Sequence, residues 1–287
     1  MADKVITELV RVAVDAHIAL DGACWSPQGA ARETAIVLAP GTGAEFCHPP
    51  MGTLGPLLAA EGYRVLALNR RDHGAQFGFH RFRDAALDHR HAVEFLAARG
   101  AGRIVLGGHS YGTLTAPAYV AETDDARVAA LLLLAPLGDL RAATAKIVGG
   151  AARYDAVVAD CRKRIAAGSG DEAFVIPPMA PGSLPLVHSY SVFMDKRGPA
   201  AKTVGPELIA RLGKRPVLGI RDPADLYPAT LPPAQEQLQA ANSRLDYVLL
   251  RDRRGGRMDP EAHYFPGREA ELLALVTGWL ARHKLDR

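Results

Sequence analysis

The stretch Arg103-Ile104-Val105-Leu106-Gly107-Gly108-His109-Ser110-Tyr111-Gly112-Thr113-Leu114 decides the reading of this chain. Its first half is apolar on consecutive positions, which predicts a short strand covered on both faces. The strand runs into a Gly-x-Ser-x-Gly turn, Gly108 to Gly112, and then into a helix pattern over 112–122. A serine on a tight strand-to-helix turn is pushed out above the sheet, and flanking glycines let neighbouring backbone approach without a clash. The same turn aims the helix N-terminus, with its positive dipole end and free amides, at any negative oxygen formed beside the serine. Alone the pattern is weak, because glycine and serine gather in loops; the strand before it and the helix after it give it weight.

Outward from this turn the same alternation continues. Apolar runs at 35–39, 64–68, 103–107, 128–134, 216–220 and 246–250 alternate with helix patterns at 53–61, 81–99, 112–122, 234–241 and 268–283. That order predicts an α/β protein with a mostly parallel central sheet and helices on both faces. Two short strand candidates, near 10–14 and 18–25, precede it, and Gly62 and Gly100 sit where left-handed helix caps are expected. Between Pro136 and Arg215 the alternation stops. A helical stripe of Tyr154, Val157, Val158, Cys161 and Ile165 ends near Gly168, followed by Pro177, Pro178, Pro181 and Pro185 and a short helix with Pro206 at its start. The organisation expected is a core of 1–136 and 216–287 interrupted by a helical and irregular insertion, 137–215.

With 287 residues, 48% hydrophobic and 23% charged, the chain can bury one sizeable core, which excludes disordered, collagenous and disulfide-scaffold classes. Its 34 basic and 31 acidic residues are spread along the chain, so no basic stripe argues for a nucleic-acid partner. Cys24, Cys47 and Cys161 form no CxxC pair and no zinc-spaced cluster, so reduced thiols, a cytoplasmic location and no metal are expected. Residues 1–8 lack an apolar signal core, and the longest apolar run, 128–137, is about half what a spanning helix requires. Neither a Walker loop nor a dinucleotide loop appears, so no nucleotide cofactor is expected.

On the strand, the Gly-x-Ser-x-Gly turn and the helix after it, the chain resembles the α/β-hydrolase family over most of its length outside 137–215. The resemblance implies an α/β-hydrolase fold, a nucleophile at Ser110 and oxyanion-hole amides at Tyr111 and in Ala39-Pro40-Gly41-Thr42-Gly43. Pro40 stands where relatives often carry a histidine; Thr42 is the candidate donor, with Gly43 close behind. A serine hydroxyl needs a base at neutral pH, and histidine titrates in the useful range. Of ten histidines, His263 lies between the last strand and the C-terminal helix, where the family keeps its catalytic histidine ahead of an aromatic, here Tyr264. The orienting acid is implied in Arg221-Asp222-Pro223-Ala224-Asp225-Leu226-Tyr227-Pro228, where Asp225 matches better than Asp222. A minority arrangement, with the acid after the preceding strand, makes Asp139 a third candidate; all three also fit ordinary turn aspartates.

The other histidines have plainer readings. His109 is expected to be a packed turn residue pointing away from the serine, with substrate contact as the alternative. His89, on the stripe Phe82, Ala86, Val93 and Leu96, reads as a core histidine. His73 belongs to Asn69-Arg70-Arg71-Asp72-His73-Gly74, resembling a family turn in which Asp72 replaces a glycine and takes left-handed geometry. His48, in Cys47-His48-Pro49-Pro50, fits either the pocket mouth or a surface loop. The insertion is expected to form a lid, with Phe174, Ile176, Pro177, Met179, Tyr190, Phe193 and Met194 divided between a substrate-facing wall and lid packing. Arg153, Arg162, Lys163 and Arg164 read as a solvated helix face.

The function implied is a serine hydrolase acting on a small-molecule carboxylic ester, lactone or thioester through an acyl-enzyme, with no cofactor. Amide or peptide hydrolysis, acyl transfer at the same triad, and a non-catalytic ligand-binding protein are the alternatives. Haloalkane dehalogenase chemistry is excluded, because it uses a carboxylate where this chain has Ser110.

Overall fold

The computed structural model describes residues 5–176 and 185–287. In chain order the elements are β1 (Val5–Ala13), β2 (Ala19–Pro27), β3 (Thr34–Ala39), α1 (Met51–Ala60), β4 (Arg64–Leu68), α2 (Phe82–Leu87), α3 (His89–Ala98), β5 (Arg103–His109), α4 (Gly112–Thr123) and β6 (Val128–Leu134). Then follow α5 (Leu140–Ile147), α6 (Ala151–Ala166), β7 (Ala173–Ile176), β8 (Leu186–Ser189), α7 (Tyr190–Arg197), α8 (Gly205–Ile209), β9 (Val217–Arg221), α9 (Pro232–Ala241), β10 (Leu245–Leu249) and α10 (Glu269–Arg282). Eight strands form one sheet in the order β1-β2-β4-β3-β5-β6-β9-β10. The β1–β2 and β2–β4 pairs are antiparallel and the rest parallel.

The consecutive apolar runs follow from double coverage. Ile36 and Leu38 of β3 pack with Leu54 and Leu58 of α1 and Val276, Trp279 and Leu280 of α10. Ala35 and Val37, pointing the other way, pack with Val93 and Leu96 of α3, Tyr119 and Val120 of α4 and Leu238 of α9. Each such large side chain removed from water contributes about 1.5–3 kcal/mol, so both faces of the strand must be apolar.

Two expectations are corrected. The helix pattern at 81–99 is two helices, α2 and α3, meeting at Asp88, whose carboxylate accepts hydrogen bonds from the Arg71 amide and guanidinium. The strand candidates near 10–14 and 18–25 are one longer hairpin, and β1 is mostly exposed at the sheet edge, which is why its apolar signal is thin.

Between β6 and β9, α6 and α8 match the expected helices, whereas the antiparallel β7–β8 pair and α7 were not anticipated. Ile176, Tyr190 and Phe193 bury themselves with Val148, Val158 and Cys161, with Phe174 and Met194 packed against them. Of the residues expected to divide between a pocket wall and lid packing, those described form this segment's own small core: Phe193 is fully buried and Phe174 stacks on Tyr190 with ring centroids 4.6 Å apart. Pro177 and Met179 lie outside the described residues. Ile209 and Leu212 pack instead into the core of the main sheet. Among the described residues, no helix is long and apolar enough to cross a membrane.

Candidate active site

β5, β6, β9 and β10 are successive neighbours in the sheet, and the loops leaving the carboxyl ends of β5, β9 and β10 carry Ser110, Asp225 and His263. Crevices outside such strand ends are where open α/β sheets bind ligands. Ser110 adopts φ +51°, a conformation that is costly for a residue with a side chain and persists only where the surroundings impose it. Here its amide donates to Leu134 O at 2.9 Å, and its carbonyl accepts from the Thr113 amide at 2.8 Å. The glycines are needed for close approach: a Cβ on Gly108 would lie 2.2 Å from Gly112 O, and one on Gly112 would lie 2.6 Å from Ala39 O. The turn can close against β3 only without those side chains.

His263 lies in a short 3-10 turn, Pro260–Tyr264, whose start is capped by the Asp259 side chain accepting from the Glu261 amide. Its Nδ1 is 2.8 Å from Asp225 Oδ2, and the other carboxylate oxygen accepts from the Tyr227 amide at 2.9 Å. Asp225 is buried. Burial pushes its carboxyl pKa up, but the hydrogen bond and charge of His263 and the Tyr227 amide outweigh this and hold it below the ordinary value. The two loops are also joined through backbone, Asp259 N donating to Ala224 O at 2.8 Å.

The other candidate acids are engaged elsewhere. Asp222 pairs with Arg268 Nε at 3.0 Å and accepts from the Ala224 amide. Asp139 caps α5 and pairs with Arg141 at 2.8 Å. Among the described residues, neither Ser110 Oγ nor His263 Nε2 has a hydrogen-bond partner.

Arg70, which the sequence reading did not single out, governs the turn after β3. Its guanidinium donates to the carbonyls of both Pro40 and Gly41. Because N–H and C=O point oppositely across a trans peptide, the Gly41 and Thr42 amides face away from that guanidinium. Arg70 is itself held by Asp72 at 3.0 Å, and Asp72 by Lys196 of α7 at 2.7 Å; all three side chains are buried. Asp72 is thus not a glycine substitute in left-handed geometry; Gly74, at φ +54°, takes that conformation, and Asp72 is a buried counter-ion. Burial pushes the Lys196 pKa down to about 8 despite its partner, while Asp72, which burial alone would raise, is held low by Arg70 and Lys196.

The remaining candidates divide. Tyr111 is fully buried, its ring edge-on to Phe77 at 4.9 Å and Phe82 at 5.9 Å. These three join Leu114, Leu137, Leu140 and Leu208 in one apolar cluster, with Tyr227 packed at its side. Tyr227 and Tyr264 flank the His263 ring at 5.2 and 5.5 Å. The placement of Tyr227 was missed because its position beside a turn proline carries no periodic signal. The Thr42 side chain is exposed, and Gly43 bridges to His73. Of the pocket candidates, Phe193 belongs to the insertion's core, His48 takes the surface-loop alternative, exposed with Nδ1 accepting from the Glu45 amide at 2.9 Å, and His109 takes the packed reading over substrate contact, buried against the His263 loop. His89 is buried, with Nε2 3.0 Å from Thr115 Oγ1. Glu45, Cys47 and His48 are the one group among the described residues whose potential metal-binding atoms lie within 4.8 Å of one another, on a largely exposed loop.

Comparison with known proteins adds the following. A family model described as the alpha/beta hydrolase family matches residues 36–275. No curated protein sequence matches the chain significantly. Among solved structures, DcsB in complex with its substrate analogue is similar over 96% of this chain and 99% of its own, at TM-score 0.73 and 16% identity. Est1E from Butyrivibrio proteoclasticus with bound ferulic acid is similar over 95% of this chain and 98% of its own, at TM-score 0.64 and 14% identity. A thermostable carboxyl esterase from Bacillus coagulans in complex with glycerol is similar over 95% and 98%, at TM-score 0.65 and 16% identity. At such identities the likeness is one of fold.

Proposed function

Because this chain belongs to the alpha/beta hydrolase family and has its fold, we propose that it is a serine hydrolase cleaving a small-molecule carboxylic ester, lactone or thioester. The observation that carries the reading is the 2.8 Å contact between His263 Nδ1 and Asp225 Oδ2, on a loop whose backbone is hydrogen-bonded to His109, the residue before Ser110. Asp225 fixes the tautomer that leaves His263 Nε2 as an acceptor. On substrate binding His263 takes the proton of Ser110 Oγ as the oxygen attacks the carbonyl carbon; such contacts tighten only in the complex. The Tyr111 and Thr42 amides stabilise the negative oxygen, each worth about 10² to 10³ in turnover. His263 then protonates the leaving group, and water activated by the same imidazole releases the acyl group. The half-exposed Tyr227 and Tyr264 rings beside His263 favour an apolar group at the mouth.

The test is stopped-flow hydrolysis of p-nitrophenyl esters of graded acyl length, beside a lactone, a thioester and aminoacyl p-nitroanilides. The expected result is a burst of nitrophenol matching the enzyme concentration, with anilides much slower. Faster anilide cleavage, or no turnover of any acyl substrate, would contradict the reading. The acid assignment has its own comparison. Asp225→Asn is expected to lower kcat by about 10⁴-fold with the fold intact. Asp222→Asn is expected to lower thermal stability by about 1–2 kcal/mol, because Arg268 loses one charged hydrogen bond but keeps Glu271 and the Arg251 carbonyl, with kcat nearly unchanged. Equal kcat losses in the two variants would contradict the assignment.

A further inference from the structure

His109 sits on the turn with Ser110 but sends its side chain elsewhere. Its Nε2 is 2.8 Å from His263 O, and a carbonyl only accepts, so Nε2 carries the proton and donates it. The ring is 1% exposed, and burial drives its pKa down to about 3, so it is neutral and Nδ1 holds a bare lone pair. Among the described residues Nδ1 has no partner. That side of the ring lies against Gly41, where a Cβ would come within 3.2 Å of it. On its other side the ring packs on His263 at 4.9 Å, Tyr264 at 5.6 Å and Phe265 at 6.3 Å between centroids.

The side chain therefore fills the gap between the turn after β3 and the loop after β10 while its own backbone abuts Ser110. Asp225 controls the rotation of the His263 ring through Nδ1, but a carboxylate on one ring nitrogen does not fix where the loop's backbone stands. The bond to the His263 carbonyl does, at the residue itself. We infer that His109 is a positioning residue that sets the distance between the Ser110 and His263 side chains by tethering the histidine's own backbone carbonyl to the turn bearing the serine. The inference rests on the reading of Ser110 and His263 given under the proposed function.

The test compares His109→Phe, which keeps a planar apolar ring without the donor, with His109→Gln, whose amide N–H reaches the position of Nε2. Folded fraction is matched by thermal melting. Misplacing a reacting group by about 1 Å costs on the order of 10²-fold, so the phenylalanine variant is expected to lose about 10²-fold in kcat with KM nearly unchanged. Glutamine is expected to restore most of that loss. The low-field proton resonance of His263 Nδ1, which requires no turnover, is expected to be sharp in the wild type and in the glutamine variant and broadened with phenylalanine. Wild-type kcat and a sharp resonance in His109→Phe would overturn the inference, as would equal losses in both variants accompanied by a raised KM. Should the wild type turn over no acyl substrate, the functional reading fails, while the resonance still decides whether the tether holds His263.

Discussion

Replacing Ser110 by alanine is expected to lower turnover by about 10⁶-fold, and adding His263→Ala to it is expected to lower it no further. In the proposed mechanism the two groups act in one event, transfer of a proton as a bond forms, so removing either removes all of it. About 8 kcal/mol of barrier is at stake in that event. What remains is the contribution of the oxyanion amides and of binding, about 10³ over water. Neither substitution should disturb the fold, because among the described residues the Ser110 hydroxyl holds nothing, and the His263 loop is also pinned through its backbone at Asp259 N and at His263 O. Single-turnover rates on the best ester, with folded protein checked by melting, measure this. Losses that multiply, the double variant falling well below either single, would mean that the two side chains do not share a step.

The largest expected effect on stability is at Asp72. Asp72→Asn leaves the buried Arg70 and Lys196 without their shared counter-ion, and unpaired buried charge costs about 3–5 kcal/mol. For a chain of this size that lowers the melting temperature on the order of 10 °C. The double variant Asp72→Asn with Lys196→Met is expected to recover about half of the loss, because methionine removes the stranded ammonium while Arg70 remains buried with only the Pro40 and Gly41 carbonyls as acceptors. The pH dependence has a definite sign. The Asp72 carboxyl is held below its unfolded value, so the unfolded chain binds the extra proton in that window. Its contribution is complete above the unfolded carboxyl pKa and is lost as pH falls through the folded one. Asp72→Asn should therefore flatten the acid limb of the stability curve. A melting temperature within a degree or two of wild type would contradict the role given to this pair.

Asp72 also marks the boundary of what was legible beforehand. Runs such as Val128–Leu134 could be read from sequence because helices cover both sheet faces and force consecutive apolar positions. The Gly108–Gly112 turn was legible because Gly108 and Gly112 are demanded by backbone approaching within 3 Å of where a Cβ would stand. Local patterns do not reach across distant parts of the chain. The Lys196–Asp72 bond spans 124 residues and the His109–His263 bond 154, and no periodicity predicts either. Asp72 was misread as taking left-handed geometry because it does lie in a turn, and the 81–99 pattern concealed a break at Asp88, whose carboxylate meets the distant Arg71. The aromatic residues of the insertion were legible as apolar but not as to direction, and those described pack on one another. His109 was read correctly as pointing away from the serine, yet its partner lies in a loop whose course the sequence does not specify.

The most direct test of the central claim, that Ser110 is a nucleophile activated by His263 and Asp225, is intact-protein mass spectrometry after treatment with an alkyl fluorophosphonate, followed by mapping of the modified peptide. The account predicts a single adduct, on Ser110, absent in Ser110→Ala and formed far more slowly in His263→Ala and Asp225→Asn. A folded wild type that remains unmodified, or an adduct on any other residue, would contradict it.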